Sequence, residues 1–396
     1  MVKMKGKYST AKVFATVLDE TTKKQIQLLI DSKASEGSKV RIQADCHAGA
    51  GCVIGTTMTI TDRVCPNLVG VDIGCGMLMY NLGKTKIDLI KLDEFIRSNI
   101  PSGHNIHESP VYNYHELDKL ICPVNIENAQ RSIGSLGGGN HFIEIDKDDE
   151  GNQYLIVHSG SRHLGLEVAK YYQKLAEKEC SKSNKSEIIK KLKLEGREKD
   201  IQKELSKIEV VPNSLAYLTG SSMSNYLHDM KIVQGYASVN RAWIIIHIIK
   251  YITSIYKDFC KDNSVVETVH NYIDMDKMIL RKGSISALEG EEVLIPINMR
   301  DGSLICVGKS NEDYNYSAPH GAGRIMSRTQ AFNTVELEDF KESMKDVYST
   351  SVNESTLDES PFVYKSLEDI LPNIQDTVQV IKHIMPIYNF KNSEIL

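Results

Sequence analysis

The chain has 396 residues, of which 41% are hydrophobic and 25% are charged, and its formal net charge is −5. These values are typical of a globular protein with a sizeable core, and no apolar run is long enough to cross a bilayer. The acidic balance excludes a uniformly basic surface, so basic residues would have to be gathered locally to bind a polyanion.

The first ten residues contain three lysines, but no apolar segment follows them, so we expect no secretory signal. Eight cysteines are scattered along the chain without a Cys-x-x-Cys pair. Such scatter in a chain of this length argues against a disulfide framework and indicates a reducing compartment. We therefore expect a cytoplasmic protein.

The first third of the chain alternates between strand and helix patterns. They predict a strand before residue 20, a helix at 20–30, a strand at 40–44, a strand with a glycine-rich loop at 64–80, and an amphipathic helix at 87–100. Residues 101–125 follow as an irregular segment that contains several histidines.

The rest of the chain mixes both element types. The patterns predict strands at 142–145, 154–157, 265–272, 278–281, 293–296 and 303–308, a helix at 167–179, two helices within 217–258, and a mainly helical segment past residue 320. A Lys- and Glu-rich stretch at about 180–210 predicts a helical excursion, whose charges fit a solvated helix face better than an RNA contact. No linker divides the chain, so we expect an α+β fold in a single large mixed domain over residues 1–396.

Five potential metal ligands stand in short glycine-flanked motifs, namely Asp72, Cys75, His141, His158 and His270. A cation deprotonates a thiol that binds it, the thiolate can bridge two ions, and mixed Asp/Cys/His ligation suits Mn²⁺, Zn²⁺ or Fe²⁺. Taken alone, each residue fits a structural role better, as a buried cysteine in a turn or a hydrogen-bonded histidine. Their joint occurrence favours a metal centre.

A sixth motif contains His320, with Arg324 and Arg328 after it. If a helix begins at Gly321, the two arginines share one face, and the helix N-terminus beside them is suited to phosphate. A neutral imidazole can attack phosphorus and form a phosphoramidate, so His320 is a candidate nucleophile. The alternative is that His320 is another metal ligand or a helix cap.

These motifs resemble those of the RtcB family of RNA ligases, in the order that the family has them. The matching segments from residue 45 onward are Asp45-Cys-His-Ala-Gly-Ala-Gly, Gly70-Val-Asp-Ile-Gly-Cys-Gly, Gly134-Ser-Leu-Gly-Gly-Gly-Asn-His-Phe, His158-Ser-Gly-Ser-Arg, Tyr226-Leu-His-Asp-Met, His270-Asn, Arg281-Lys-Gly and Ser317-Ala-Pro-His-Gly-Ala-Gly-Arg. The resemblance implies β-sheets around a central metal cleft, with helices at the periphery.

The resemblance also implies an activity and its cofactors. The family joins an RNA 3′-phosphate or 2′,3′-cyclic phosphate end to a 5′-hydroxyl end, using GTP and two Mn²⁺ ions, in RNA repair or tRNA splicing. By matching positions, His320 carries GMP and Cys75 bridges the two ions, with His141 and His158 completing one metal site and Asp72 and His270 the other. An archease-type activator protein is an implied partner.

Seventeen residues are implied as contacts to GTP or GMP. They are Asn140, His141, Phe142, Ile143, Glu144, His270, Asn271, Pro296, Asn298, Met299, Ser303, His320, Gly321, Ala322, Gly323, Tyr364 and Lys391. Among them, the Glu144 carboxylate can accept from both donors on the guanine edge. Segment 296–303 departs from the family's Pro-Gly-Ser-Met-Gly, so the nucleotide contacts there are expected to differ and the chain is expected to belong to a divergent subgroup.

Candidate contacts to RNA phosphate are Arg162, Arg324 and Arg328. Two other functions use the same motifs. A two-metal phosphoesterase or nuclease would need the ligands but not His320, and a non-catalytic RNA-binding protein would keep the metal for stability alone. Retention of all five ligands together with His320 favours the ligase.

Overall fold

A computed structural model describes residues 1–15, 18–205, 211–256 and 264–393, with backbone only at 182–188, 203 and 205. The strands of these residues are β1 (Val2–Lys5), β2 (Thr10–Val13), β3 (Val40–His47), β4 (Ile54–Thr59), β5 (Arg63–Val64), β6 (Gly76–Gly83), β7 (Phe142–Lys147), β8 (Gln153–Ser159), β9 (Leu218–Thr219), β10 (Val265–Val269), β11 (Asn271–Asp274), β12 (Ile279–Lys282), β13 (Ser284–Ser286), β14 (Glu292–Asn298), β15 (Gly302–Gly308), β16 (Ser317–Pro319) and β17 (Val378–Phe390). The helices are α1 (Glu20–Ile30), α2 (Leu89–Asn99), α3 (Ile126–Ser132), α4 (Arg162–Leu194), α5 (Ile201–Leu205), α6 (Gly220–Ile255), α7 (Arg328–Thr334), α8 (Leu337–Ser343) and α9 (Leu367–Ile374).

Two large sheets form the centre of a single α+β domain, which confirms the expected fold class. The first has the strand order β1-β2-β3-β4-β12-β11, and the second has the order β10-β6-β8-β7-β17-β15-β14. Neighbouring strands are antiparallel except β2 and β3, which are parallel. The metal-ligand motifs lie at the ends of strands in the second sheet.

Strand β8 lies inside the second sheet and is buried along its whole length. Leu155 and Val157 on one face pack against Ile244 and Ile248 of α6, while Ile156 faces a separate apolar cluster. Side chains of a strand alternate between faces, so both faces of β8 are covered. This explains why its sequence is a continuous apolar run rather than an alternating one.

Several predicted elements are confirmed. Helix α1 spans Glu20–Ile30 as expected, with the Asp19 side chain accepting from the backbone N–H of Thr22 at its start. Helix α2 spans Leu89–Asn99 and ends before Pro101, within the expected range. Strands β7, β8, β14 and β15 contain four of the six strands predicted between residues 142 and 308, namely those at 142–145, 154–157, 293–296 and 303–308.

The expectation of two helices within 217–258 is wrong, since α6 runs unbroken from Gly220 to Ile255; residues 257 and 258 lie outside the described part of the chain. Glycine weakens a helix interior, yet Gly235 lies within α6. A side chain at Gly235 would meet the hydroxyl of Tyr114 at 2.5 Å. Tyr114 therefore occupies the space that a side chain at position 235 would need.

The strand expected at 265–272 is two strands, because β10 and β11 belong to different sheets and His270 stands between them. The mainly helical segment expected past residue 320 is also wrong. It has three short helices and then β17, a strand of 13 residues between β7 and β15. Its hydrogen-bond partners lie far away in the chain, so no local pattern specified it.

Helix α4 runs from Arg162 through the first half of the charged segment to Leu194, and α5 follows at Ile201–Leu205. Residues 206–210, the end of that expected excursion, lie outside the described residues. None of the described helices combines the length and hydropathy that crossing a membrane requires.

Candidate active site: a metal-ligand cluster beside a cleft

Four of the five expected metal ligands come from neighbouring strands of the second sheet. Cys75 directly precedes β6, His141 precedes β7, His158 is near the end of β8, and His270 follows β10. Strand β8 runs antiparallel to β6 and β7, and β10 runs antiparallel to β6. These four strand ends therefore lie side by side at the same end of the sheet. Asp72 joins them from the turn before Cys75, whose backbone N–H donates to the Asp72 carbonyl over 3.3 Å.

The ligand atoms form two overlapping groups that share the Cys75 thiol. Cys75 Sγ lies 3.4 Å from His141 Nε2, which is 3.0 Å from Asp72 Oδ2. On the other side, Cys75 Sγ lies 3.3 Å from His158 Nε2, which is 3.4 Å from His270 Nε2. Ligand atoms about 2.0–2.3 Å from one tetrahedral ion are roughly 3.3–3.7 Å apart, so the two distances from Cys75 and the distance between His158 and His270 fit a metal site. The distance of 3.0 Å between Asp72 and His141 is that of a hydrogen bond.

The grouping differs from the pairing that the resemblance implies. The structure joins Asp72, Cys75 and His141 in one group and Cys75, His158 and His270 in the other. The physical reason is the strand order, since Cys75 at the start of β6 stands between His270 on one side and His158 on the other. Asp72 reaches past Cys75 to His141, which starts the strand on the far side of β8.

The protonation states of the histidines suit metal binding. Burial lowers the pKa of His158 and of His270 well below the usual histidine range, and a neighbouring imidazole adds to the effect in each case. Both rings are therefore neutral and have a lone pair to offer. Nδ1 of His158 donates to the carbonyl of Asn140 over 3.1 Å, which turns the Nε2 lone pair toward Cys75 and His270.

Burial opposes the ionisation of both acidic ligands, but their net pKa shifts are opposite. Burial raises the pKa of Cys75 well above its usual range, and the negative charge of Asp72 raises it further. A bound divalent cation reverses this effect, because it stabilises the thiolate directly. Burial also opposes the ionisation of Asp72, but the hydrogen bonds from His141 and Cys75 and the nearby imidazoles together outweigh it and lower the pKa of Asp72 to about 2.

His320 follows β16, and its ring centroid lies 5.1 Å from that of His270. Its Nδ1–H donates to Asp45 Oδ2 over 2.7 Å, and its backbone N–H donates to the same oxygen over 3.1 Å. This arrangement fixes the tautomer and leaves the Nε2 lone pair free. Gly323 permits the close approach, because a side chain there would meet the Asp45 carbonyl at 2.7 Å and its φ is +74°.

A cleft of about 280 Å³ opens beside the ligand cluster, and both His270 and His320 line it. Thirteen of the seventeen residues expected to contact the nucleotide line this cleft. They are Asn140, Phe142, Glu144, His270, Pro296, Asn298, Met299, His320, Gly321, Ala322, Gly323, Tyr364 and Lys391.

The other four expected nucleotide contacts do not line the cleft. His141 points into the ligand cluster, and strand alternation turns Ile143 to the opposite face of β7, where it is fully buried. Asn271 accepts from the backbone N–H of Gly283 through its side-chain oxygen. Ser303 is fully buried within β15. The structure therefore does not support these four residues as cleft contacts.

Two buried acids lie on the cleft-facing side of β7. Asn389 of β17 donates its side-chain amide to Glu144, and Asp146 is two residues further along the same face. Burial raises the pKa of Glu144 and raises that of Asp146 well above its usual range, with repulsion from Glu144 adding to the rise. The pair therefore retains one proton when Glu144 ionises.

The buried carboxylate of Glu359 pairs with basic residues at one wall of the cleft. Glu359 lies 3.1 Å from Lys391 Nζ and 3.3 Å from Arg324, and it accepts from the Tyr364 hydroxyl over 2.9 Å. Burial opposes the ionisation of Glu359, but Lys391 and Arg324 outweigh it, so its pKa is lowered. Arg328 is 55% exposed and lies 3.8 Å from the same carboxylate.

No helix begins at Gly321, the condition under which Arg324 and Arg328 would share a helix face, because α7 begins at Arg328. Gly321–Ser327 is instead an irregular segment in which Arg324 pairs with Tyr364 as an isolated β-bridge. Arg324 and Arg328 nevertheless converge on Asp358 and Glu359.

Arg162 is held by protein acceptors at the start of α4. Its Nε donates to Ser135 Oγ over 2.9 Å, and its terminal nitrogen donates to the Gly103 carbonyl over 2.7 Å. Its φ of 55° is uncommon for a residue with a side chain. The guanidinium is thereby fixed beside the glycine-rich segment that leads to His141.

The sequence patterns assign no role to three residues of this site: Asp45, Glu359 and Asn389. Asp45 lies in one of the motifs that carry the resemblance, which is the signal that points to it. Glu359 and Asn389 carry no local signal, because their roles come from contacts with residues far away in the chain.

Comparison with known proteins agrees with the motifs. The family model described as "tRNA-splicing ligase RtcB" matches residues 35–122 and 117–392. The chain is 28% identical to "RNA-splicing ligase RtcB" of Escherichia coli K12 over 380 residues, covering 86% of the chain and 87% of that relative. It is 24% identical to "tRNA-splicing ligase RtcB" of Methanococcus maripaludis over 420 residues, covering 84% of the chain and 83% of the relative.

Proposed function

Because this chain belongs to the RtcB family and is an RNA ligase, we propose that it joins an RNA 3′-phosphate end to a 5′-hydroxyl end at the expense of GTP. Its substrates are RNAs broken in tRNA splicing or awaiting repair, and an archease-type protein is its proposed activator. The observation that carries the proposal is the free Nε2 of His320, held by Asp45 in the wall of a cleft that adjoins the metal-ligand cluster.

We propose that the cluster holds two Mn²⁺ ions, with Cys75 as the shared ligand. Asp72 and His141 complete one site, and His158 and His270 complete the other. The incomplete protein shell leaves coordination positions for substrate oxygens. When bound, the metal neutralises phosphate charge and polarises the reacting phosphoryl group.

The proposed nucleotide orientation follows from the charges of the cleft. Ionised Glu144 accepts from the N1–H and N2–H₂ donors of guanine, and Asn389 holds that carboxylate in position. Lys391 and Tyr364 line the cleft beside Glu359. The α-phosphate is then directed toward His320, next to the metal-ligand cluster.

The proposed reaction has three transfers. Nε2 of His320 attacks the α-phosphorus of GTP, forming an N–P bond as the bond to the β-phosphate oxygen breaks and pyrophosphate leaves. An oxygen of the RNA 3′-phosphate then attacks the same phosphorus, which breaks the N–P bond and frees His320. Finally the 5′-hydroxyl oxygen attacks the RNA phosphate, GMP leaves, and the hydroxyl proton passes to solvent. A 2′,3′-cyclic phosphate is first hydrolysed to the 3′-phosphate.

Basic residues around the cleft are the proposed contacts to RNA phosphate. Arg328 is the most exposed of them, and Arg324 lies behind it on Glu359. Arg162 keeps N–H groups beyond the two that bind Ser135 and Gly103.

A ligation assay tests the whole proposal, since joining must require a 3′-phosphate, a 5′-hydroxyl, GTP and Mn²⁺. Cleavage of the RNA without joining would instead indicate a phosphoesterase.

Replacing Asp45 with asparagine is expected to slow guanylate transfer to His320 by about 100-fold. The asparagine amide can donate to Nδ1, which favours the tautomer with its proton on Nε2 and removes the attacking lone pair. The measurement is the rate of covalent labelling by radioactive GTP, with metal content measured in parallel. Metal content should stay unchanged, and a labelling rate within twofold of the unmodified protein would contradict the orienting role.

Replacing Glu144 with glutamine is expected to weaken GTP binding by about 100-fold, because the amide presents a donor to the N2–H₂ group of guanine. The preference for GTP over ATP should fall by a similar factor. Titration calorimetry with both nucleotides measures these changes, and Glu289→Gln, at an exposed turn, is the matched control.

The pH dependence of GTP binding gives an independent check on Glu144. Its pKa is raised in the folded protein, so the carboxylate that accepts from guanine is present above that raised pKa and is lost as the pH falls through it. GTP affinity of the unmodified protein should therefore decrease toward acidic pH, whereas Glu144→Gln should respond less. Equal pH profiles for the two proteins would argue against guanine recognition by this acid.

A further inference from the structure

One surface outside the cleft combines aromatic rings with a cation. We call it the aromatic patch, and its members are Tyr112, His107, Trp243, His247 and Lys250. The Trp243 ring centroid lies 5.4 Å from that of Tyr112 and 5.8 Å from that of His247, which is 6.0 Å from that of His107. Lys250 Nζ lies 5.5 Å from the Trp243 centroid.

The aromatic patch is open to solvent. Tyr112 is 42% exposed, Lys250 is exposed, and the other three rings are half-buried. Trp243, His247 and Lys250 are spaced at four and three residues along α6, so they lie on one face of that helix. The remaining two rings, His107 and Tyr112, belong to loop 101–114.

The aromatic patch is connected to the metal-ligand cluster by one short segment, residues 134–141. At one end, a side chain at Gly134 would meet His107 Nε2 at 3.3 Å and Trp243 Cβ at 3.7 Å. At the other end, His141 lies in the ligand cluster. Seven residue steps span at most about 25 Å, so Gly134 at the patch and His141 in the cluster are no further apart than that.

Arg162 stands between the two ends of this segment. A side chain at Gly137 would meet the Arg162 guanidinium at 2.2 Å and His141 Nδ1 at 2.6 Å. Arg162 also donates to Gly103 and Ser135, which belong to the same loops that build the patch. An arginine thus lies beside the segment that joins the aromatic patch to the metal-ligand cluster.

We propose that the aromatic patch binds single-stranded RNA and guides one of the two RNA ends to the metal-ligand cluster. Bases stack on the exposed sides of Tyr112 and Trp243, Lys250 contacts the backbone, and the strand continues past Arg162. Stacking on aromatic rings with nearby cations is the usual way to bind single strands without reading their sequence. The inference rests on the proposed function, which supplies the substrate.

The chemistry of the patch favours RNA over a protein partner. The centres of protein-docking surfaces are depleted in lysine, whereas here a lysine ammonium stands over one of the rings. The net charge of the chain is −5, so RNA must be bound by local sites, and stacking rings with a lysine beside them are suited to a single strand.

Intrinsic fluorescence tests the proposal directly, because Trp243 is the only tryptophan of the chain. Titration with a labelled single-stranded RNA of about sixteen nucleotides should change the tryptophan emission over the concentration range in which fluorescence anisotropy of the label reports binding. An RNA that binds fully without any change in tryptophan emission would overturn the proposal and leave a protein partner as the alternative occupant.

Variants give the second readout. Trp243→Ala should weaken binding of the RNA of about sixteen nucleotides by about tenfold, Trp243→Phe should largely restore it, and an RNA of about four nucleotides should be affected less. Tyr171→Ala is the matched control, because Tyr171 is 38% exposed on α4 and its ring packs against Tyr172. Equal affinities of Trp243→Ala and the unmodified protein would also refute the proposal.

The same variants separate this inference from the proposed function. Transfer of guanylate to the protein needs no RNA, so Trp243→Ala should form the covalent adduct at the unmodified rate. Absence of the adduct in the unmodified protein would contradict the proposed function alone, since the fluorescence and anisotropy titrations report RNA binding without any nucleotide.

Discussion

Replacing His320 with alanine is expected to abolish covalent guanylate transfer and to reduce RNA joining by at least about 10⁴-fold. The reason is that no other group can form the N–P bond from the position that Asp45 gives to this imidazole. Incubation with α-labelled GTP and Mn²⁺, followed by denaturing electrophoresis, measures the adduct. The label on the unmodified protein should be lost in acid and survive alkali, as expected of a phosphoramidate.

His104→Ala is a suitable control, because His104 is an exposed imidazole in the loop before α3. It should keep the label. Retention of the label by His320→Ala would show that the nucleophile is a different group, and His47, another imidazole that lines the cleft, would be tested next. Thermal unfolding of each variant shows whether a loss of label reflects the missing imidazole or a loss of folded protein.

Replacing Cys75 with alanine is expected to lower the metal content from two ions per chain to well below one, and to reduce ligation by at least about 10³-fold. Its sulfur is the only ligand atom common to both groups of the cluster. Removing it leaves each site with two protein ligands and leaves the charges of the two cations without a shared anion. Elemental analysis after removal of free Mn²⁺ measures the metal independently of activity.

Cys306→Ala provides the matched control, since Cys306 is also a fully buried cysteine but packs in an apolar cluster. It should lower thermal stability and keep the metal. Cys75→Ser adds a second comparison, because its hydroxyl keeps the shape of the site but does not ionise as a thiol does. Full metal occupancy in Cys75→Ala would be incompatible with a bridging thiolate.

Local patterns predicted several elements well and failed where distant contacts decide the conformation. The helices at 20–30 and 87–100 have their capping residues and apolar periodicity in the sequence itself. Strand β17 could not be predicted in the same way, because it is stabilised by pairing with β7 and β15. Helix α6 continues through Gly235, and the hydroxyl of Tyr114 lies where a side chain at that position would stand, which is again a tertiary effect.

The ligand types were readable from the sequence, but their grouping was not. A carboxylate, a thiolate and three imidazoles in glycine-flanked motifs indicate a metal centre whatever the fold. Which residues share an ion depends on the order of strands in a sheet, and that order sets His270 beside His158 and leaves Asp72 with His141. Asp45 illustrates the same limit, since its bond to His320 joins residues 275 positions apart.

The sequence by itself therefore determined the family and the α+β class, and it predicted the metal-ligand residues and the nucleophile, because these depend on residue types within short motifs. Only the tertiary structure decided how the ligands divide, which four expected contacts lie away from the cleft, and how Asp45, Glu359 and Asn389 hold the residues that line it. The physical reason is that hydrogen bonds and metal ligation act over about 3 Å, and only folding brings residues distant in the chain that close together.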